Sequence, residues 1–420
     1  MKIPMRGVVF RGATLVVAVA IVAITASLAA GSTARTSVSS ATSITVWTME
    51  DSKAFTSLVA NFTKQTGIKV NVEAIPWGNV NDKLTTAIAS GNGPDVVQVG
   101  LSLLPTFVGA GALMNVKPYL QKHPALQSAN YLDGVAANKI NPAGKVLSIP
   151  WVSDVRILFY RKDILSQAGI SSPPKTWAEF YKDAAKLAAR GSGQYGLYIP
   201  QWDSALPVEL TWQAGGTVQD RRGLVTFNTK AFRRAADFYI SFYKSKVVPT
   251  ASDFDQTQGF VSGAAPMVIS GPYLAGAING AAPELNGKWG VALLPKGKTG
   301  TSLFAGSNMG VWYKSKHVKE SLRLLDYLSS TKEQLTWFKF TNELPTVKAA
   351  MSTKAMTSDP MVRVYVKQLQ DAKLLPPLVP AWGQISSAML DALNNIVLKG
   401  ADENSTLAQL NQQVAALQKQ

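Results

Sequence analysis

Between residues 44 and 99, apolar positions alternate between the spacing of β-strands and that of α-helices. Strand-like patterns occur at residues 44–47, 68–72 and 95–99. The two stretches between them carry apolar residues three or four positions apart, as on one face of a helix. In the first of these helices the apolar positions are Phe55, Leu58, Val59 and Phe62. The order strand, helix, strand, helix, strand predicts a parallel sheet with helices on both faces.

A second alternating region begins after residue 150. The predicted strands lie at residues 155–160, 195–199, 267–270, 291–294 and 308–313. Thr176 and Glu179 form a capping box that opens a helix ending near residue 189. Further helices are predicted at residues 205–213, 231–243, 320–328, 332–341, 360–371, 383–398 and 405–418. The pattern thus indicates a second α/β region and a mainly helical C-terminal part.

Polar and aromatic side chains are concentrated where two predicted strands meet. An apolar strand at residues 146–149 runs into Pro150 and Trp151. The carboxylate of Asp154 and the guanidinium of Arg156 follow before the next strand begins. This arrangement predicts a hinge with a ligand-facing polar pair rather than a catalytic centre.

The first 43 residues have the pattern of a targeting segment. Three basic residues, Lys2, Arg6 and Arg11, precede an apolar run at residues 13–30, and small residues follow. The predicted last residue of a cleaved leader is Ala29, Gly31 or Ala34. The alternative is a retained anchor, because the apolar run is long enough to span a bilayer. We expect a signal peptide at residues 1–34 and a Ser/Thr-rich spacer at residues 35–43.

Length and composition narrow the function classes. A chain of 420 residues is long for one core, so two lobes are expected. The absence of cysteine excludes disulfides, thiol nucleophiles, thiolate metal sites and a lipid-modified cysteine. The net charge of +16 raises the alternative of nucleic-acid binding, but the basic residues are scattered. Attraction to an anionic cell surface, or a solvated basic face without a partner, fits an exported chain better.

Enzyme motifs are missing from the sequence. The chain has two histidines, no Gly-x-Ser-x-Gly turn, no His-Glu-x-x-His and no Walker-type or dinucleotide glycine motif. We therefore expect no cofactor and no metal. A pair of carboxylates for cutting glycosidic bonds stays open as the enzyme alternative. The candidate carboxylates are Glu50, Asp95, Asp154, Asp203 and Glu209.

The ten tryptophans fall into two groups. Four lie inside predicted helices or strands and are expected in the core: Trp177, Trp289, Trp312 and Trp337. Six lie at strand ends or beside turn residues: Trp47, Trp77, Trp151, Trp202, Trp212 and Trp382. Ligands of doubly wound sheets bind beyond the carboxyl ends of strands, where indoles offer flat apolar faces and acids or arginine offer hydrogen bonds. That combination suits a sugar; core packing is the alternative for each of the six, above all for Trp212.

Several short motifs, in their order along the chain, resemble those of the extracellular solute-binding proteins of sugar ABC importers, the group that includes maltose-binding protein. Gly91, Pro94 and Asp95 are similar to the family's Gly-x-x-Pro-Asp motif. Residues 145–163 resemble its first hinge crossing and the Tyr-x-Lys-Asp that follows. Further segments fit in order at residues 174–180, 215–216, 265–273, 289–295 and 342–346.

The resemblance implies an α/β fold of two lobes, each a mainly parallel sheet flanked by helices, joined by a hinge of two or three crossings. We expect lobe 1 at residues 44–149 and 300–346, and lobe 2 at residues 150–299 and 347–420. The ligand would lie in the cleft between the lobes. The resemblance also implies delivery of the ligand to a membrane permease.

Local matches to the family imply roles for several residues. Glu50 and Asp51 match polar contacts of the first lobe, Asp154 an acidic hydroxyl acceptor, and Tyr273 an aromatic stacking position. Gly100, Leu101 and Ser102 replace polar contacts of the family, so a close match to maltose is not expected. The predicted ligand-binding residues are Trp47, Glu50, Asp51, Trp77, Asp95, Trp151, Asp154, Arg156, Trp202, Tyr273 and Trp382.

The resulting hypothesis is an exported receptor, extracellular, periplasmic or at the cell surface, that closes on a small carbohydrate and delivers it to an ABC transporter permease. It predicts no enzyme activity and no nucleic-acid partner. Two alternatives stay open. One is a receptor for another solute such as a polyamine, which Glu50, Asp51, Asp154 and Asp203 would suit. The other is a secreted glycoside hydrolase.

Overall fold

Two β-sheets, of seven and three strands, organise the described part of the chain. The computed structural model describes residues 42–49, 52–76, 79–132, 144–375, 379 and 381–419. The strands are β1 (Ser43–Thr48), β2 (Lys69–Ala74), β3 (Val96–Gly100), β4 (Ile149–Val155), β5 (Ile157–Arg161), β6 (Met267–Ser270), β7 (Trp289–Ala292), β8 (Ser302–Val311), β9 (Leu344–Pro345) and β10 (Ala372–Leu374). The predicted signal peptide lies outside the described residues.

Helices connect and cover these strands. Those before β6 are α1 (Ser52–Thr66), α2 (Val80–Ser90), α3 (Leu104–Gly109), α4 (Lys162–Gln167), α5 (Trp177–Ala188), α6 (Ala205–Gln213), α7 (Lys230–Lys244) and α8 (Gln256–Val261). Those after it are α9 (Tyr273–Ala281), α10 (Val318–Leu328), α11 (Thr331–Thr341), α12 (Lys348–Met351), α13 (Lys354–Thr357), α14 (Pro360–Leu369), α15 (Trp382–Lys399) and α16 (Glu403–Leu417). Short 3₁₀ turns occupy Lys117–Lys122, Pro124–Leu126, Ser128–Asn130 and Pro283–Leu285. No helix of the described residues has both the length and the apolar character that a bilayer crossing requires.

The seven-stranded sheet contains the predicted parallel unit. Its order is β2, β1, β3, β8, β4, β9, with β10 paired to the first part of β8. β1 pairs in parallel with β2 and β3, which confirms the βαβαβ prediction. Helix α1 buries the four apolar residues that its sequence period singled out, against this sheet. Helix α5 begins with the predicted capping box of Thr176 and Glu179.

The three-stranded sheet differs from the expected mainly parallel arrangement. β5 lies at its centre and pairs antiparallel with both β6 and β7. β6 and β7 therefore run in the same direction, and β5 is inserted between the two strands of a β–α–β unit. The two-lobed α/β class is confirmed, but the expectation of mainly parallel pairing is wrong for this sheet. The seven-stranded sheet is mixed, because β8 pairs antiparallel with β3 and β4, and β4 pairs antiparallel with β9. Apolar cores lie on both of its faces, one with α6, α7 and α15 and the other with α9 and α14.

Three of the predicted strands also differ in their bounds from the structure. The strand expected at residues 146–149 begins only at Ile149 and runs through Pro150 and Trp151 to Val155. A bulge between Pro150 and Val152 lets the chain continue its pairing with β8. The strand expected at residues 195–199 is reduced to one parallel bridge, between Tyr198 and Val268. The strand expected at residues 308–313 is β8, which already begins at Ser302 and ends at Val311. Long-range pairing decided all three cases.

The two sheets are linked by strands that lie side by side. β4 of the first sheet leads into β5 of the second with Arg156 between them. β8 returns from the second sheet to the first and pairs with β4 from Val155–Phe304 to Ile149–Met309. This strand pair is where the two halves of the fold meet. The lobe boundaries stated above stay a prediction.

Gly306 occupies a position in β8 that other residues would strain. Its φ is +125°, and a Cβ at this position would lie 2.2 Å from the carbonyl oxygen of Val152. We expect Gly306→Ala to lower the free energy of unfolding by about 1–3 kcal/mol. Urea denaturation measures this loss. Gly109→Ala, at a site with open space and no positive φ, is the matched control and should change little. Equal stability of both variants would contradict the strain argument.

Candidate functional site

Asp154 and Arg156 flank Val155 at the end of β4, where the chain passes from one sheet to the other. Both side chains keep a small exposed fraction. The Asp154 carboxylate lies against Gly271, where a Cβ would come within 2.3 Å of Oδ2. The turn between β6 and α9 can approach Asp154 this closely because residue 271 has no side chain.

Arg156 is loosely held by groups from the second half of the fold. Its Nη2 lies 3.9 Å from Oδ2 of Asp203. Its Nη1 donates to the Tyr273 hydroxyl at 3.5 Å, and the guanidinium carbon lies 6.0 Å from the centre of the Tyr273 ring. Nε of Arg156 and Oδ1 of Asp154 are buried without a hydrogen-bond partner among the described residues. A buried donor and a buried acceptor are thus both left to be satisfied.

Glu209 is a buried carboxylate that connects to this site through Ser302. It is 1% exposed in α6, and its Oε1 accepts from the backbone N–H of Leu303 at 2.6 Å and from the Ser302 hydroxyl at 3.1 Å. The Ser302 hydroxyl also lies 2.8 Å from the carbonyl oxygen of Arg156. Glu209 and Ser302 therefore connect a helix of the second half to both strands that cross between the sheets.

Burial raises the pKa of the acids in this cluster. It raises the pKa of Glu209 to about 8, against the opposing effects of the Leu303 N–H and of Arg156. Burial also raises the pKa of Asp154, and Arg156 opposes that rise. Burial lowers the pKa of Arg156, but the surrounding acids and Tyr273 raise that pKa by more than burial lowers it. The net shift is upward, so this guanidinium stays charged.

Aromatic rings lie next to the charged cluster. Trp202 is 63% exposed and precedes Asp203, the residue facing Arg156. Its side chain acts on the Tyr198 hydroxyl, on which Asp203 and Tyr273 also act. The Tyr273 hydroxyl accepts from the Ser270 hydroxyl at 3.0 Å and from Gln256 Nε2 at 3.3 Å, which orients its half-buried ring. Ser270, Gln256 and Ser302 were missed in the sequence. Only Ser270, three residues before Tyr273, had a local signal in the chain; Gln256 lies 17 residues away and is brought to Tyr273 by folding.

Two tryptophans predicted as ligand contacts are instead interior. Trp151 is 1% exposed, and its ring centre lies 6.2 Å from that of Phe55 and 5.4 Å from that of Trp337. Trp382, also 1% exposed, starts α15 inside the second core. The sequence rule failed because a strand end or a proline neighbour does not decide which way an indole points. Core placement is confirmed for Trp289, Trp312 and Trp337. Trp212 is also buried, as the alternative of core packing predicted.

Other predicted contacts lie apart from the cluster. Asp95 sits at the amino end of β3, where it accepts from the Thr45 N–H at 2.9 Å and the Ser315 hydroxyl at 2.6 Å. These bonds give Asp95 a structural role at the sheet edge. Trp47 is 8% exposed, with Lys83 Nζ 4.6 Å above its ring, and lines an open concavity of about 540 Å³ beside α2. Glu50, Asp51 and Trp77 lie outside the described residues.

The chemistry available to the described cluster is that of binding. The cluster holds carboxylates, one guanidinium, hydroxyls and aromatic faces. The two histidines of the chain, His123 and His317, lie elsewhere in the fold. Within the described ranges no group of three His, Asp or Glu side chains is arranged to hold a metal ion. The structure therefore brings together Asp154, Arg156, Trp202 and Tyr273 of the predicted set, and adds Asp203 and Glu209, which the sequence had offered as hydrolase carboxylates.

Comparison with known proteins gives a family match. The sequence model of the bacterial extracellular solute-binding proteins matches residues 47–335. A galactooligosaccharide-binding protein of Bacillus subtilis is 26% identical over 385 residues, covering 87% of each chain. A maltooligosaccharide ABC transporter solute-binding lipoprotein of Streptococcus pneumoniae is 25% identical over 84% of each chain.

Solved structures agree with the fold. The sugar-binding protein MalE of Xanthomonas citri is 28% identical, with a TM-score of 0.76, over 90% of this chain and 98% of that one. An ABC transporter solute-binding protein of Thermotoga lettingae, bound with α-D-tagatose, has a TM-score of 0.83 over 90% and 100%. Its identity of 22% supports the two-lobed architecture alone.

Proposed function

Because the chain belongs to the bacterial extracellular solute-binding proteins, we propose that it captures a sugar or oligosaccharide between its lobes and delivers it to an ABC transporter permease. As a member of that family it is a binding protein, not an enzyme. We further propose that it is exported and that the leader at residues 1–34 is removed. The galactooligosaccharide-binding relative from Bacillus and the maltooligosaccharide transporter relative from Streptococcus support a carbohydrate as the class of solute.

The observation that carries the proposal is the unsatisfied pair of polar groups where the lobes meet. Asp154 Oδ1 lacks a donor and Arg156 Nε lacks an acceptor among the described residues. A sugar hydroxyl both donates and accepts, so neighbouring hydroxyls can satisfy both atoms. The exposed ring of Trp202 offers an apolar face for the carbon side of the sugar ring.

The same geometry suggests how binding closes the lobes. Asp154 and Arg156 lie on the link between β4 and β5, while Trp202 and Tyr273 belong to the second half of the fold. A ligand held by these groups and by the facing lobe favours the closed arrangement, because the closed form offers it more contacts. Closure also removes water, which strengthens hydrogen bonds to the hydroxyls.

Titration calorimetry with a panel of mono- and oligosaccharides tests the proposal. We expect at least one neutral sugar to bind, and Trp202→Ala to weaken its binding by about tenfold, since ring stacking contributes about 1–1.5 kcal/mol. Tyr119→Ala, at an aromatic residue 41% exposed in a 3₁₀ turn of the first half, is the matched control. Spermidine belongs in the same panel, because acids outnumber Arg156 in the cluster. Binding of spermidine without any sugar would contradict the proposal.

A further inference from the structure

The charged groups of the site are unequal in number. Arg156 is surrounded by three carboxylates, those of Asp154, Asp203 and Glu209, and all three act on its charge. Asp203 also acts on both of the other acids. With every group ionised, the cluster has two more negative than positive charges. Protonation of Asp154 and Glu209, which burial favours, brings the cluster to neutrality but not to a positive charge.

The one guanidinium is already engaged. Arg156 faces Asp203 at 3.9 Å and the Tyr273 hydroxyl at 3.5 Å, and its side chain is 13% exposed. Its positive charge is therefore balanced from within the protein, and little of it is left to attract an anion. The free Nε needs an acceptor, but a neutral hydroxyl oxygen serves as well as a carboxylate.

An anionic ligand would meet unfavourable neighbours at this site. The Asp154 carboxylate acts on the charge of Arg156, so an anion placed on Nε is also repelled by that carboxylate. Like charges repel strongly in a partly dehydrated site, because water screens them less than it does at the surface. A hydroxyl avoids this repulsion because it can donate a hydrogen bond to the Asp154 carboxylate.

On the premise of the carbohydrate receptor function, we propose that Asp154 and Asp203 make this protein select uncharged or amino-bearing sugars and reject sugars that carry a carboxylate or phosphate. Asp154 contributes through direct contact with the ligand. Asp203 contributes by neutralising Arg156, the group that an acidic sugar would otherwise use. The two carboxylates are thus specificity-determining residues for the charge of the solute.

Calorimetry of the full chain with charge-matched ligands tests the selectivity. The sets are glucose and galactose, their 1,4-linked trimers, and the uronate, 1-phosphate and 2-amino forms of each sugar. We expect each anionic form to bind about 30-fold more weakly than its neutral parent, or worse. An anionic form that binds within about threefold of its parent overturns the inference while leaving the receptor function intact. If no saccharide of any charge binds, the receptor function itself fails.

Asp203→Asn isolates the charge effect. The variant keeps an oxygen for the Ala205 N–H, which Asp203 Oδ1 accepts at 2.8 Å, so the local turn is preserved. We expect it to bind anionic sugars about threefold to tenfold better relative to their neutral parents. Glu284→Gln, an exposed acid in a 3₁₀ turn, makes the same charge change away from the cluster and should leave the ratio unaltered. Thermal unfolding checks that both variants fold.

The control also separates a local effect from a global one. If Asp203→Asn leaves the ratio at its wild-type value, the cluster does not set the selectivity. If Glu284→Gln shifts the ratio equally, the selectivity comes from overall charge. Either result overturns the inference.

Discussion

Replacing Trp151 with alanine should lower the free energy of unfolding by about 3–5 kcal/mol, a large part of the stability of a typical domain. Trp151 is 1% exposed, and its ring packs against Phe55 and Trp337 in the core of the first sheet. The backbone around it is held as well, because its carbonyl oxygen accepts from Gln334 Nε2 at 3.0 Å. Truncation would leave a cavity that these anchored neighbours cannot fill.

Urea denaturation followed by circular dichroism measures this loss. Trp202→Ala provides the comparison, because Trp202 is 63% exposed and its removal should change stability by about 0.5 kcal/mol or less. The two variants should therefore separate stability from binding, with Trp151 affecting the first and Trp202 the second. A Trp151→Ala protein that kept its stability but lost sugar binding would instead support the ligand contact that the sequence predicted.

The second large effect is a loss of stability as pH rises, caused by Glu209. Burial raises the pKa of Glu209 from its ordinary value of 4.5 to about 8. Between these values the folded protein holds a proton that the unfolded chain has released. The stability that protonated Glu209 contributes is therefore fully present below pH 4.5, and it is lost as the pH rises towards about 8. The raised pKa of Asp154 acts in the same direction.

Glu209→Gln should remove the contribution of this residue. The amide oxygen can still accept from Leu303 and Ser302, and it carries no charge at any pH. The slope of stability against pH should become shallower by up to about 1.4 kcal/mol per pH unit, the contribution of one proton. At pH 9 the variant should be more stable than the wild type, because the wild type then buries a carboxylate.

Thermal unfolding from pH 5 to pH 9 gives the measurement. Glu284→Gln is the control, because Glu284 is exposed and should leave the slope unchanged. Glu209→Ala should destabilise at every pH, since it leaves the Leu303 N–H unsatisfied in the interior. A wild-type slope in the Glu209→Gln variant would show that Glu209 is already ionised and stabilised by Arg156 in the folded protein.

Much of the local structure could be predicted because its causes lie within a few residues. The buried face of α1 follows from the spacing of Phe55, Leu58, Val59 and Phe62. The end of α2 follows from Gly91, which adopts a left-handed conformation with φ of +72°. The capping box of α5 needs only two residues three positions apart. Such features are determined before the chain meets distant partners.

Features that depend on distant partners were predicted less well. The antiparallel insertion of β5 between β6 and β7 depends on pairing over more than a hundred residues. The passage of β4 through Pro150 depends on β8, which accommodates the bulge with Gly306. Trp151 lies in β4, and its burial depends on Phe55 of α1 and Trp337 of α11 packing against it. Periodicity along the chain carries no record of these contacts.

The sequence by itself determined the α/β class, the family resemblance and the placement of Asp154 and Arg156 two residues apart on one crossing segment. These follow from local spacing and from the order of short motifs. Only the tertiary structure decided that Asp203 and Glu209 join the pair, that Trp151 and Trp382 leave it, and that acids outnumber the one guanidinium. The physical reason is that burial and charge balance depend on which distant side chains share a volume, and folding alone brings them together.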